Sequence, residues 1–260
     1  QPLSVNKDNI LKWTRESLSK VKYVNDISFI ASLYEKNDYD RCINMIPENM
    51  QAYFRSIFEE AVFKWDGINR VYGKTGKEIL DYIRLVSPDF KLANTFEIED
   101  VRYFEVAYLI RKLANIERVC VLNLLAEEHD VHLYTYSEVD QSQLPGVHIS
   151  PPVVTGEATA IIYAASKINL NISLKGIEGG TPQRIMDIMG AGGFVMSNYC
   201  EETAELFEED KEIVMFRTPE ELLEKVDYYL SHDREREQIA KAGHRKVMER
   251  YTYEKKVRQL

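Results

Sequence analysis

The sequence has few of the features that mark secreted or membrane proteins. It contains three cysteines, Cys42, Cys120 and Cys200, which are far apart and odd in number. They fit neither a disulfide framework nor a metal-ligand spacing, so they favour reduced thiols. No apolar run approaches the roughly 20 residues that span a bilayer, and the first residues are polar, unlike those of a signal peptide. We therefore predict a cytoplasmic protein without a membrane span.

Positive charge is also in deficit. The chain has 33 Lys and Arg against 42 Asp and Glu, which gives a formal net charge of −9. This balance argues against a general nucleic-acid partner and against anionic membranes, although a local basic pocket is compatible with it. The 260 residues, 45% of them hydrophobic, suffice for one large domain or two small ones with a sizeable core. These properties are typical of an enzyme module.

Several motifs of catalysis and nucleotide binding are missing. The histidines show no HExxH pattern or paired metal spacing, and no G-x-S-x-G elbow marks a serine hydrolase. The string Gly73-Lys74-Thr75 lacks the earlier glycine of a P-loop, so we interpret it as a loop that enters a helix. We expect no metal ion and no cofactor.

Short apolar runs alternate with helical patterns over the second half of the chain, and this alternation is typical of a doubly wound parallel sheet. The fold class that we predict is α/β, with a helical insertion at about residues 38–125, where apolar residues recur at helical spacing. Aromatic residues of this insertion, such as Phe54 and Phe58, favour a core over a sugar platform. The predicted strands are Asp26–Leu33, Val131–Tyr136, Val147–Ile149, Ile168–Ser173, Gly193–Ser197 and Ile213–Phe216.

The stretch from Ser173 to Asn198 is the most informative part of the chain. It has the pattern of a strand end, a glycine turn, a short helix, a second turn and a buried strand. Gly179 and Gly180 allow a ligand to approach the backbone closely. Thr181 suits a helix N-cap and Pro182 the first helical position. Such a helix start offers free N–H groups and a positive dipole end to a phosphate.

Two charged residues follow in this helix. Arg184 lies in the first turn and Asp187 three residues later, so both can share one face. A cation near the phosphates and a carboxylate near the sugar hydroxyls are what a nucleoside diphosphate requires. An ordinary βαβ turn with a capped helix explains the same residues equally well.

From about Val131 to Tyr253 the chain resembles the C-terminal, donor-binding half of GT-B glycosyltransferases, in particular those of spore-maturation and spore-coat type. Asp187 falls where the second carboxylate of their two-glutamate element belongs, and Ile188–Met196 matches the turn and strand that follow. Arg184 fits an arginine of the spore-type relatives. The first carboxylate is displaced, because Gly179 stands eight residues before Asp187 and Glu178 one further back.

The resemblance implies a Rossmann-like domain that binds a nucleotide-diphosphate sugar and transfers the sugar to a sugar, protein or envelope acceptor. It implies no catalytic residue at a matching position. Ser32 stands where relatives often have an arginine, so Arg184, with Lys175 or Lys36, would have to carry the phosphate charge. Tyr136 either stacks on a base or caps the sheet edge. The implied donor-site residues are Ser32, Lys36, Tyr136, Ser137, Glu178, Gly179, Gly180, Thr181, Pro182, Arg184 and Asp187.

The resemblance also implies a division of the chain. Residues 1–25 resemble an interdomain connector with a short helix, and residues 26–260 the nucleotide-sugar-binding domain. An N-terminal acceptor domain would then be missing from this chain. The alternatives are another GT-B-type enzyme, such as a sugar-nucleotide epimerase or a phosphorylase, and a non-catalytic protein of spore or envelope assembly.

Overall fold

The computed structural model describes residues 4–6, 8–9, 23–92, 94, 98–153, 156–176 and 180–257. The predicted helix at residues 10–20 lies outside this part of the chain, as does most of the predicted connector. Within the described residues, six strands form one sheet, and every neighbouring pair in it is parallel. They are β1 Asn25–Ile30, β2 Val131–Tyr134, β3 His148–Ser150, β4 Ser166–Asn171, β5 Val195–Asn198 and β6 Val214–Phe216.

The strand order is β3-β2-β1-β4-β5-β6. The chain therefore builds outward from β1 in one direction, returns, and builds outward from β4 in the other. In parallel sheets of this kind, ligands bind beyond the carboxyl ends of the strands where the order reverses, which here is between β1 and β4. The predicted fold class, an α/β Rossmann-like doubly wound sheet, is confirmed.

Helices cover the sheet and fill the long connection between β1 and β2. A π-helical segment, Glu105–Ile110, joins the fourth helix to the fifth. The predicted helices at residues 77–86, 219–230 and 233–250 are present within one residue. The described helices are α1 Asp38–Cys42, α2 Glu48–Ala61, α3 Lys77–Val86, α4 Asp100–Phe104, α5 Arg111–Ala126, α6 Glu157–Ala165, α7 Gln183–Gly190, α8 Glu201–Leu206, α9 Pro219–Ser231, α10 Asp233–Arg250 and α11 Tyr253–Val257.

The two faces of the sheet bury different sets of side chains, because successive residues of a strand point to opposite sides. In β5, Met196 packs in a cluster with Leu122 and Leu125 of α5. Its neighbour Val195 packs on the opposite face with residues of α6, α7 and α10. Both faces of the sheet are therefore covered, and Ser28 of β1 and Asn169 of β4, two polar residues buried within it, hydrogen-bond to each other at 2.9 Å.

The helices between β1 and β2 have an apolar core of their own. Phe54, Phe58 and Phe104 are buried in it, and the rings of Phe104 and Tyr108 stack at 4.9 Å. The core interpretation of these aromatic residues is therefore confirmed. Among the described residues, no helix is long and apolar enough to cross a membrane.

One local prediction is wrong. The helix after the glycine turn starts at Gln183, so Pro182 is the N-cap, with φ −55° and ψ 135°, and not the first helical residue. Thr181 therefore stands one residue before the cap, and its buried hydroxyl accepts from Thr203 Oγ1 at 3.3 Å. The proline ring carries no hydrogen-bond acceptor, which explains why the N-cap side chain does not cap the helix.

Candidate functional site

The loops that leave the strands meet along one edge of the sheet. After β1, the Leu33 N–H donates to Ser137 Oγ at 2.9 Å, and the hydroxyls of Ser32 and Ser137 lie 3.3 Å apart. After β4, the Ser173 N–H donates to Asn198 Oδ1 at 2.7 Å, at the end of β5. These contacts join the loops after β1 and β2, and those after β4 and β5, at the carboxyl ends of the strands.

Arg118 of α5 spans the point where the strand order reverses. Its Nη1 donates to the Ser32 carbonyl at 2.5 Å and its Nη2 to the Ile172 carbonyl at 2.6 Å. The two carbonyls follow β1 and β4, and the side chain is 3% exposed. Arg118 therefore fixes the width of the crevice between the two strand ends.

Arg184 of α7 approaches the same crevice from the other face. Its Nη1 donates to Asn171 Oδ1 at 2.9 Å, and its guanidinium lies 5.4 Å from the centre of the Phe29 ring. Arg118 packs against the same ring at 5.6 Å. Both cations therefore lie near one aromatic side chain of β1.

The charge of these two arginines is not neutralised by a nearby carboxylate. Within the described part of the chain, no Asp or Glu oxygen lies within 4 Å of either guanidinium; both are held by carbonyl or amide oxygens. Burial, together with the nearby Arg184 charge, lowers the pKa of Arg118 to about 10. Burial likewise lowers the pKa of Arg184. Both shifts express the cost of burying a cation, which the more distant carboxylates Glu117 and Asp187 offset only in part.

The glycine turn borders a cavity of about 370 Å³ at the ends of β4 and β5. Gly180 lies in this wall with φ +111°, a conformation in which a side chain would be strained. Pro182, Ser173 and Asn198 also line it. Glu178 and Gly179 lie outside the described residues, so their assignment stays a prediction.

Lys175 lines this cavity, but its ammonium group is already paired with a carboxylate. Its Nζ lies 2.6 Å from Glu117 Oε1 of α5, and the two side chains are 9% and 1% exposed. Lys175 also donates to the Ala61 carbonyl at the end of α2, while Glu117 accepts from the Phe63 N–H at 2.8 Å. The pair therefore ties the loop after β4 to the inserted helices.

Asp187 faces a second cavity, of about 380 Å³, together with Gln183, Tyr163 and Ser4. Its carboxylate accepts from Gln183 Nε2 at 2.7 Å, and burial raises its pKa. The Tyr163 hydroxyl lies within electrostatic range of both Asp187 and Arg184, and burial raises its pKa to about 12. Asp187 and Arg184 also attract each other, although they form no ion pair within 4 Å.

The remaining predicted residues lie at the outer rim. Lys36 pairs with Glu138 at 2.5 Å, and both side chains are exposed. Tyr136 is 73% exposed, which leaves its ring free to stack on a base. Ser32 and Ser137 are joined by their hydroxyls, as described above.

Sequence reasoning missed Arg118 and did not include Tyr163 among the site residues. Arg118 comes late in a segment with helical spacing, and only the tertiary structure brings it to the strand ends. Its one sequence signal is the apolar pattern of α5, which places Arg118 three residues before the buried Val121.

The second half of the chain matches a protein family, and several solved structures are similar to the chain. A family model described as glycosyl transferase-like matches residues 110–260. No curated protein matches the chain. Similar solved structures include sucrose-phosphate synthase (tll1590) from Thermosynechococcus elongatus, at 12% identity and a TM-score of 0.46, over 54% of this chain and 39% of that one. Anabaena Alr3699/HepE in complex with UDP and glucose is 15% identical with a TM-score of 0.45, over 55% and 42%.

A third structure, TarM, is 9% identical with a TM-score of 0.46, over 92% of this chain and 35% of that one. The chain thus spans between 35% and 42% of the length of these three proteins. The family model, in contrast, matches more than half of the chain and includes β2 to β6, the Arg184 helix and Arg118. The protein belongs to the glycosyl transferase-like family.

Proposed function

We propose that this chain binds the nucleotide-diphosphate sugar donor of a glycosyltransferase in the crevice between β1 and β4. The observation that carries the proposal is the pair Arg118 and Arg184, two guanidinium groups without a carboxylate partner among the described residues. Buried cations are stable only when they are paired, so a site of this kind favours an anion. A diphosphate supplies two adjacent negative groups.

The proposal gives each part of the crevice a role. Arg184 has further N–H groups beyond the one that bonds Asn171, and an arginine can hold phosphate oxygens through parallel hydrogen bonds. The backbone N–H groups of Gly180, Thr181 and Gln183, before and at the start of α7, add to this attraction. As the bond from the sugar to the diphosphate breaks, negative charge grows on the leaving group, and these fixed donors stabilise it.

Asp187 would accept hydrogen bonds from ribose hydroxyls, since its carboxylate lines a cavity next to α7. Tyr136, which is exposed at the rim, would stack on the base, and Glu178 would contact the sugar. The sugar then passes to a sugar, protein or envelope acceptor, as the family resemblance implies. In this proposal the chain positions the donor, and no residue of the crevice is assigned as a catalytic acid or base.

A thermal-unfolding screen against UDP, GDP, dTDP, ADP, CMP and pyrophosphate tests the proposal. A ligand at about 100 times its dissociation constant stabilises a protein by about 2.7 kcal/mol. We expect one nucleoside diphosphate to stabilise the protein more than the others and more than pyrophosphate. If no ligand stabilises a folded protein, donor binding by this chain is refuted, and a non-catalytic role in assembly becomes the better account.

A further inference from the structure

A second cluster of chemically active side chains lies at the opposite end of the strands. Asp130 precedes β2, His132 is the second residue of β2, and His148 is the first residue of the edge strand β3. The donor crevice lies beyond the carboxyl ends of the strands, whereas these three residues lie toward the amino ends. None of them contributes to the site described above.

The parallel pairing of β2 and β3 brings the two histidines together. His132 is the direct register partner of His148, so their side chains project from the same face of the sheet. The two imidazole rings stack with their centres 4.8 Å apart and an angle of 23° between their planes. Asp130 stands two residues before His132, and this period of two places it on the same face.

All three side chains converge on one point. Asp130 Oδ1 lies 3.0 Å from His132 Nε2 and 3.4 Å from His148 Nε2. One ligand atom from each of the three residues lies within 4.8 Å of the others. Tetrahedral zinc sites with bonds of about 2.0–2.1 Å hold their ligand atoms about 3.3 Å apart. The two distances to Asp130 already match this spacing, and a small rotation of the exposed His148 ring would bring the histidines closer.

We propose that Asp130, His132 and His148 bind a divalent transition-metal ion of the zinc class. Two imidazoles and one carboxylate are ligands that suit Zn²⁺, Co²⁺ and Ni²⁺, while Ca²⁺ and Mg²⁺ prefer oxygen alone. The His148 side chain is 66% exposed, so the remaining coordination position opens to water. The ion would join the edge strand β3, only three residues long, to β2.

The spacing of residues in the sequence does not indicate this site, because its two histidines belong to separate strands and form no short motif. Their proximity follows from the register of the sheet alone. The expectation of no metal ion rested on motif spacing within the sequence, which does not detect ligands paired across strands.

Calorimetric titration of the untagged, chelator-treated protein with ZnCl₂ tests the proposal. We expect one equivalent to bind and to raise the melting temperature. Loss of outer-sphere partners alone lowers metal affinity by about 10–100-fold, so His132→Ala, His148→Ala and Asp130→Asn should each lose about 100-fold or more. His232→Ala, which removes an exposed histidine elsewhere, is the matched control and should bind as the wild type does.

The Co²⁺-loaded protein provides a readout that does not depend on stability. A nitrogen and oxygen ligand set gives visible bands without the near-ultraviolet charge-transfer band of a thiolate. His148→Gln, a conservative change at an exposed position, should abolish this spectrum while the metal-free protein melts as the wild type does. Binding that persists in all three ligand variants, or a thiolate band from a cysteine, would overturn the proposal, as would the absence of saturable binding.

Discussion

Replacing Lys175 with methionine should destabilise the protein strongly, because it leaves Glu117 buried without its cation. Methionine keeps most of the length of the side chain and removes the charge. The carboxylate of Glu117 is 1% exposed and lies 2.6 Å from Lys175 Nζ. Breaking a buried ion pair by removing one partner costs about 3–5 kcal/mol. We expect a loss of unfolding free energy in this range at neutral pH.

The stability that Lys175→Met loses should depend on pH. Burial already raises the pKa of Glu117, and the charge of Lys175 acts against that rise. Without Lys175 the pKa rises further above its value in the unfolded chain. Such a group stabilises the folded state fully below the unfolded pKa and loses this contribution as the pH rises through the folded pKa. The difference in unfolding free energy between wild type and Lys175→Met should therefore become smaller as the pH falls from about 7 to about 5.

Urea unfolding of four proteins separates this role from phosphate binding: wild type, Lys175→Met, Lys175→Met with Glu117→Gln, and Lys36→Met. The double variant removes both charges and should recover much of the loss. Lys36 pairs with Glu138 on the surface, so Lys36→Met should cost less than about 1 kcal/mol.

A Lys175→Met protein that unfolds within about 1 kcal/mol of wild type, with no change between the two pH values, would refute this reasoning. If it also lost affinity for nucleoside diphosphates, Lys175 would belong to the phosphate site instead.

Three further changes test the site and its surroundings. Asp187→Asn should raise the stability of the free protein at neutral pH, since burial raises the pKa of that carboxyl. The same change should weaken the binding of ribonucleotides more than the binding of 2′- and 3′-deoxy analogues. Titration with each ligand measures this difference. Asn171→Asp would give Arg184 a carboxylate partner, so the diphosphate affinity of the folded variant should fall about tenfold or more; unchanged affinity would contradict the charge argument. Gly243→Ala would place a Cβ 2.5 Å from the Glu212 carbonyl oxygen, and thermal unfolding should report a loss of about 1–3 kcal/mol.

The sheet could be predicted largely from the sequence. β2 and β6 are short, largely apolar runs bounded by turn residues, and the helices around them keep a helical period over many residues. β4, in contrast, begins at Ser166, two residues before its predicted start. The apolar residues of such an element mark the face that it buries, and this fixes its position in the sequence. The prediction failed by a residue at the start of α7, where Thr181 and Pro182 both fit the cap.

The charges of the site could not be predicted in the same way. Arginine and lysine usually lie at the surface. Arg118 and Lys175 are buried because segments that are distant in sequence pack around them. The pair His132 and His148 is likewise a product of strand register. The local sequence pattern indicates periodicity and turns, but it does not indicate which strand ends or helix faces meet in space.

The most direct test of the donor-site proposal is a calorimetric titration with the nucleoside diphosphate that the screen selects and with its parent nucleoside. Wild type, Arg184→Ala and Arg245→Ala are compared, because Arg245 is an exposed arginine of α10 that carries the same charge. Hydrogen bonds to charged groups contribute about 1.5–3 kcal/mol, or about 10–100-fold in affinity. We predict this loss for the diphosphate in Arg184→Ala alone, with nucleoside affinity nearly unchanged. Equal losses for diphosphate and nucleoside, or a loss of the same size in Arg245→Ala, would contradict the account.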